Sequence, residues 1–375
     1  MSSTENQVLA KKIEEKTYLD PEYLYYPLTS NSIKYNIDSK TRLFKEHLLY
    51  ETSQKKYYSS VSGKALGTKT LSGKSYLVIE NDFKEKYETK KTLRKKINNL
   101  TKKNILEILN ELDATKYTSN INYFVNNFDK IDSLILSLVV CEESDKIYSL
   151  SFNRHNNEIL EIFDALSQIF EISSPAIIIS DTDEKNIEYV TNLSGMYPNI
   201  RIVLTNDKYP SSHPLLITRK LGLENALVLT PVDLYYLYTL IKREKKVLEK
   251  EIFITGDSLK KDIFVTTKLH TLISDLLNEC KIKLHNDDII CKNSAIKGEV
   301  LDVTDYVDTD IDSLVIIKKD ESIEKECINC GLCNKFCPQK LNPQRYKLSK
   351  KPFPGKCIDC NMCSFVCPSK IGRKR

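Results

Sequence analysis

Eight of the eleven cysteines in this 375-residue chain fall in two runs, "CINCGLCNKFCP" from Cys327 and "CIDCNMCSFVCP" from Cys357. Thiols so concentrated bind metal, carry electrons or form disulfides, and the compartment decides among these. The first sixteen residues, "MSSTENQVLAKKIEEK", are polar and charged with no apolar export segment. A reducing compartment is therefore expected, and with it metal or redox chemistry. Each run spells C-x2-C-x2-C-x3-C-P, a spacing that holds a 4Fe–4S cluster from a tight loop. Zinc ribbons also use C-x2-C pairs, but they join two well-separated pairs into one four-ligand site. Here four cysteines crowd into eleven residues, and Pro338 or Pro368 closes each run.

The same doubled run occurs in bacterial dicluster ferredoxins, where the fourth cysteine of each run reaches the other run's cluster. On that pattern Cys327, Cys330, Cys333 and Cys367 hold one cluster, and Cys357, Cys360, Cys363 and Cys337 the second. Cys141, Cys280 and Cys291 are scattered in apolar or mixed surroundings and read as structural thiols.

Charge is uneven around these cysteines. The chain carries a net +5, but from Lys319 onward thirteen Lys/Arg stand against five Asp/Glu, an excess of +8 that leaves −3 for the rest. Such lysines either balance the negative charge of thiolate-bound clusters or form a docking face for an acidic redox partner, which gains association rate by steering. That face is expected at Lys335, Lys340, Arg345, Lys347, Lys350 and Lys351. Nucleic acid fits less well, because no aromatic-interleaved basic groove accompanies the charge. No stretch approaches the ~20 apolar residues of a membrane-spanning helix, so any membrane attachment is expected through a partner.

The elements that must carry the runs follow from periodicity. "YYPLTSNSIKYNIDSK" and "KKYYSSVSGKALGTKTLSGKSYLVIEND" alternate apolar and polar residues between Gly/Ser/Asn turns, a small β unit with "SYLVIE" as a strand. A tight turn is expected at Ser62, Gly63 and Lys64. "TKKNILEILNELD" reads as a helix capped by Thr101, with Ile105, Leu106, Ile108, Leu109 and Leu112 on its apolar face. "SLILSLVV", "HNNEILEIFDALSQIFEI", "PAIIISD", "NIEYVTNLSGMY" and "NIRIVLTND" then alternate buried strands with amphipathic helices, the pattern of a parallel α/β sheet. "PVDLYYLYTLIKREKKVLEKE" reads as a longer helix, and "IFITGDSLKKDIFVTT" as a hairpin turning at Gly256 and Asp257. A helix and short strands follow to residue 318. In this stretch "DVTDYVDTDID" lacks the Gly and closing Glu of a calcium loop and reads as solvated. The fold expected is multidomain α/β. Residues 1–95 form a polar lead and β module, 96–250 an α/β domain, 251–318 a small α+β domain and 319–375 a dicluster ferredoxin module.

This order resembles the C subunit of the Rnf electron-transport complex, a relative of the flavoprotein subunit of respiratory complex I. "YYSSVSGKALGTKTLSGKSYLVIEND" looks like that family's lipoyl-like barrel-sandwich module. "KYPSSHPLLI" is similar to its "KYPQGGEKQLI", and "FITGDSLKKDIFVTTKLHTLISDLL" to the start of its soluble-ligand-binding β-grasp domain. The paired cysteine runs complete a match from about residue 35 to 370. The resemblance implies a flavin and nicotinamide site on the α/β domain, built in the family on a "GLGGAGFPT" loop whose glycines let backbone N–H groups approach phosphate. This chain has "ATKYTSNINYF" there, without a glycine, and "SLVVCEESD" where the family has "NGAECEP". Bulky residues cannot copy such a loop, so loss of FMN is expected. His213, in "KYPSSHP", reads as an exposed loop histidine.

The function expected is that of an electron-transfer protein or redox-complex subunit, with two 4Fe–4S clusters and no catalytic residues of its own. A flavin-dependent NADH:acceptor oxidoreductase subunit with a divergent site is one alternative, and a structural subunit anchoring a redox complex is another. The partners expected are an acidic ferredoxin or flavodoxin and other subunits of an Rnf-like complex. The place expected is the cytoplasm, or the inner face of the cell membrane through those partners.

Overall fold

The computed structural model describes residues 11–29, 33–38, 41–53, 55–87, 100–193, 195 and 197–372. It is a mixed α/β structure with several sheets. The central sheet has four parallel strands in the order Arg201–Thr205, Ala176–Ser180, Ser133–Leu138, Ala226–Leu229. The near-continuous apolar runs of the last three are those of strands covered on both faces, while Arg201–Thr205 is an edge strand with Leu204 exposed. Helices Lys146–Ile169 and Pro231–Ile241 bury Phe152, Phe163, Leu234 and Leu237 against the largest core. Helix Lys102–Glu111 starts where the sequence indicates. Thr101 accepts from Asn104 N and the Asn104 side chain accepts from Thr101 N, a reciprocal cap, while Ile105 and Leu109 turn inward.

A six-stranded sheet follows, ordered 13–19, 262–268, 249–255, 313–318, 288–292, 300–301. Its first strand, Ile13–Leu19, comes from the far end of the chain and runs parallel to Asp262–Lys268. Glu249–Thr255 and Asp262–Lys268 form the expected hairpin. Gly256 at its turn has φ +133°, and a Cβ there would lie 2.0 Å from the Ile316 carbonyl, so both conformation and space require glycine. Two antiparallel sheets make the N-terminal β unit around Leu24, Tyr26, Leu43, Tyr50 and Ile79.

Three expectations change. The helix from Pro231 stops at Ile241, and Glu249–Glu251 belong to the next strand. Pairing decides this: Lys250 points inward at period two, and its ammonium reaches Asp312 (2.7 Å), Thr309 O (2.5 Å) and Tyr236 Oη (3.0 Å). Gly63 does not turn the chain but starts the strand Gly63–Leu71, where a Cβ would meet the Glu80 carbonyl at 1.8 Å. The "DVTDYVDTDID" loop is not freely solvated. Asp305 pairs with Lys74 (2.5 Å) and Asp308 with Lys55 (3.0 Å), so it staples the β unit to the six-stranded sheet.

Candidate metal centre

The two cysteine runs fold alike. Asn329, Gly331 and Lys340 in the first have φ of +55°, +70° and +51°, and Asp359, Asn361 and Lys370, thirty residues on, have +49°, +58° and +58°. Asn, Asp and Gly tolerate this left-handed region best, which explains their place between cysteines. The turns bend each run back on itself and lead into the short helices Leu332–Lys335 and Met362–Phe365, which pack on each other.

The bends gather the thiols around two cavities. One, of about 770 Å³, is lined by Cys337, Cys357, Cys360 and Cys363, with Lys347 and Phe353 among its other walls. The smaller, about 20 Å³, is lined by Cys327, Cys330, Cys333 and Cys367, with Ile328, Gln344, Lys347 and Leu348 beside them. Three thiols of each set come from one run and the fourth from the other. Among the described residues no three His, Cys, Asp or Glu converge as a single ion would need; the thiols ring cavities instead of a point. A set of four soft sulfur donors suits an iron–sulfur cubane, and the smaller cavity has no carboxylate on its wall. Burial pushes the Cys333 and Cys363 thiols up, and Lys347 pulls both back down.

Lys347, expected on the docking face, turns inward instead. Its ammonium borders both cavities and donates to Ser364 Oγ and Ile371 O, each at 2.7 Å. Gln344 Nε2 lies 3.8 Å from Cys327 Sγ, a weak donor to that sulfur. Lys335, Lys340, Arg345, Lys350 and Lys351 are exposed.

The second run sits against the body of the protein. Tyr209 Oη donates to the Cys360 carbonyl (2.6 Å) and Asn361 Nδ2 to the Ile296 carbonyl (2.7 Å). The loop holding Ile296 is itself fixed by Glu142, which accepts from Ser294 Oγ (2.7 Å) and Ala295 N (3.1 Å). Burial raises the Glu142 carboxyl, and its half-buried neighbour Asp145, accepting from Cys141 N and Glu142 N, is raised the same way to about 7. Cys280 and Cys291 are buried, while Cys141 Sγ accepts from Ser212 N at 3.3 Å. His213 is half-buried, not exposed: it caps the helix Pro214–Leu221, Nδ1 accepting from Leu215 N, and burial lowers its pKa. The parts of Tyr209, Asn361 and Glu142 escape the sequence, since each partner lies at least sixty-five residues away.

The segment aligned with the family's glycine-rich loop has its own packing. Residues Ala114–Lys116 form a single 3-10 turn and Ser119–Asn126 a helix that buries Ile121 and Phe124. Thr118 and Asn120 donate to buried Asp233 at 2.5 and 2.7 Å, so the polar groups of this turn are engaged within the chain.

Residues 319–368 match a family described as "4Fe-4S dicluster domain". The chain is also similar to the C subunit of the ion-translocating oxidoreductase complex of Yersinia pestis bv. Antiqua (strain Antiqua), 23% identical over 231 residues, covering 57% of this chain and 37% of that one. The protein of the same name from Citrobacter koseri is 24% identical over 240 residues, covering 59% and 34%. The resemblance read from the sequence thus recurs among curated relatives, of which the chain spans about a third of the length. Among solved structures, an NAD+-reducing [NiFe]-hydrogenase in the air-oxidized state aligns over 61% of this chain and 50% of its own, with 8% identity and a TM-score of 0.44. No helix among the described residues is long and apolar enough to cross a membrane.

Proposed function

We propose that this chain is an electron-transfer subunit of a multisubunit redox complex, passing single electrons through two 4Fe–4S clusters. The observation that carries this is the gathering of thiols: two cavities, each bordered by four cysteines, three from one run and one from the other. On this reading Cys327, Cys330, Cys333 and Cys367 hold one cluster and Cys357, Cys360, Cys363 and Cys337 the second. When bound, such clusters supply reversible one-electron transfer. The chain's own residues fix the sulfur positions through the left-handed turns, border the second site with buried Ile358, anchor its run through Tyr209, and present positive charge from Lys347 to both. Its relatives include proteins named as the C subunit of an ion-translocating oxidoreductase complex, which favours work inside an assembly of that kind. Any contact with the membrane would then come through partner subunits. The N-terminal β unit is read as the barrel-sandwich module and residues 251–318 as the β-grasp domain. The packed segment around Ile121 and Phe124 favours a protein without FMN.

The test is composition. Anaerobically reconstituted full-length chain should hold about eight iron and eight acid-labile sulfide, two complete cubanes. Tightly held zinc with no brown absorbance would overturn the assignment.

A further inference from the structure

The two thiol sets are not equally reachable. In the second, Ile358 and Cys360 are only 9% and 8% exposed, and the loop between them and the body is bridged by the Tyr209 and Asn361 hydrogen bonds. Arg219 adds a bond to Gln339, two residues beyond Cys337. The first set looks outward. Cys330 is exposed, and two large apolar side chains on the wall of its cavity, Ile328 and Leu348, are 66% and 54% exposed. The second cavity has exposed apolar walls too, Val300 at 45% and Phe353 at 37%, but they are less bare than Ile328 and Leu348, and apolar groups left in water beside a redox site mark a contact edge better than scattered surface leucines do.

Charge says what kind of contact. Arg345, Lys350 and Lys351 are exposed on or next to the helix Pro343–Ser349 that carries Leu348, and Lys335 is exposed on the helix of the first run. Of the nearby carboxylates, Asp320 pairs with Lys370 (3.3 Å) and Glu324 accepts from Gly372 N (3.2 Å), while Glu321 and Glu326 are exposed and leave the rim cationic by excess, not throughout. An apolar centre with a cationic rim suits a partner of acidic surface.

We propose that the edge formed by Ile328 and Leu348 is the docking site of an acidic one-electron carrier protein, so that electrons pass between partner and chain at the first thiol set. This deepens the two-cluster reading and rests on it. The exchange balances simply. One electron leaves the partner's reduced iron and arrives on this chain; the partner is oxidised and the chain reduced by one, with no bond or proton changing hands. The second set, facing Tyr209 and the body, is the inner station.

The experiment uses the reconstituted full chain and a reduced plant-type 2Fe–2S ferredoxin as the acidic probe, followed by stopped flow. Ile328→Glu and Leu348→Glu should each lower the second-order rate constant about tenfold, since like charge at the contact edge undoes steering. Iron content should stay as in the parent, and an EPR-monitored redox titration of each variant separates a lowered cluster potential from a lost contact: a rate loss accounted for by the fall in potential alone overturns the docking role. Lys350→Glu with Lys351→Glu, outside the cysteine loops, should slow the reaction and flatten its salt dependence. Val300→Glu probes the rival port, because Val300 borders the second cavity. A rate loss there, with Ile328→Glu and Leu348→Glu unaffected, overturns the proposal, as do salt-independent rates for the parent. Absence of iron from the parent would sink the cluster reading itself, a failure that shows before any rate is measured.

Discussion

Lys347 carries its charge between the two thiol cavities, donating to Ser364 and to the Ile371 carbonyl on the way. A reduced cluster is one unit more negative than an oxidised one, so a fixed ammonium stabilises the reduced form and raises the potential. Because Lys347 borders both cavities, Lys347→Met should move both midpoint potentials to more negative values, and Lys347→Arg should restore part of the shift. An EPR-monitored redox titration reads this directly; a shift in one cluster alone would show that the ammonium serves a single site. Crossing of the fourth ligands is a separate matter at the same scale. Cys337→Ala should remove the EPR signal of the cluster held by Cys357, Cys360 and Cys363, and Cys367→Ala that of the other. Loss of each run's own cluster would mean that the runs are independent.

At the scale of elements, the hairpin strand Asp262–Lys268 leads into a turn whose centre, His270, is clasped by the β unit. Its ring stacks on Tyr26 (4.1 Å) and Tyr306 (5.5 Å) and neither ring nitrogen has a hydrogen-bond partner. Burial lowers its pKa to about 3, against the opposing pull of Asp308, with Lys55 also lowering it. The unfolded chain therefore binds a proton below pH 6.5 that the folded chain refuses until about pH 3. Stability from this group is whole above the first value and falls with pH toward the second, a loss approaching roughly 5 kcal/mol at about 1.4 kcal/mol per unit. Asp145 works the other way. Its carboxyl is raised from 3.8 to about 7, so it favours the fold increasingly as pH drops through that window. His270→Asn keeps a residue tolerant of φ +71° and removes the titration. Its unfolding free energy, measured by denaturant from pH 7 to 4, should start lower but decline less steeply than the parent's; an equal slope would mean that His270 protonates freely in the fold. Local signals made much of this frame readable in advance. Thr101, the apolar strands and the cysteine spacing each act within a few residues, so the chain states them openly. What stayed hidden depends on distant partners. Lys250 looks like one more lysine in a charged helix until Asp312 and Tyr236 close on it. His213 looks exposed until it caps a helix, and Lys347 looks like surface charge until Ser364 draws it in.

For the molecule as a whole the question is which electrons it can take. Hydride chemistry needs a flavin to split a pair into single electrons, whereas hops between clusters need only proximity and driving force. A phosphate cradle needs backbone N–H groups free to converge on an anion. In the segment Ala114–Asn126 the corresponding positions wind into a 3-10 turn and a short helix, tied down through Thr118 and Asn120 to buried Asp233. Tyr209 and Glu142, from stretches that the family resemblance aligns with its cofactor face, here brace the second cysteine run directly or through the loop at Ser294. These side chains make their bonds within the chain. The chain should accordingly show no NADH-dependent reduction of ferricyanide, while dithionite or a reduced ferredoxin bleaches its clusters. Adding FMN should not create NADH activity, since Thr118 and Asn120 already donate to Asp233 within the chain. Rapid bleaching by NADH alone, or flavin retained through anaerobic purification, would show that the cofactor site has been rebuilt elsewhere on the chain. If instead electrons enter only singly, the salt dependence of the ferredoxin reaction becomes the signature of the whole design. Exposed charges are screened over about 10 Å at 0.1 M salt, so the rate should fall as ionic strength rises if the +8 excess beyond Lys318 faces the partner, and stay level if it only balances the clusters.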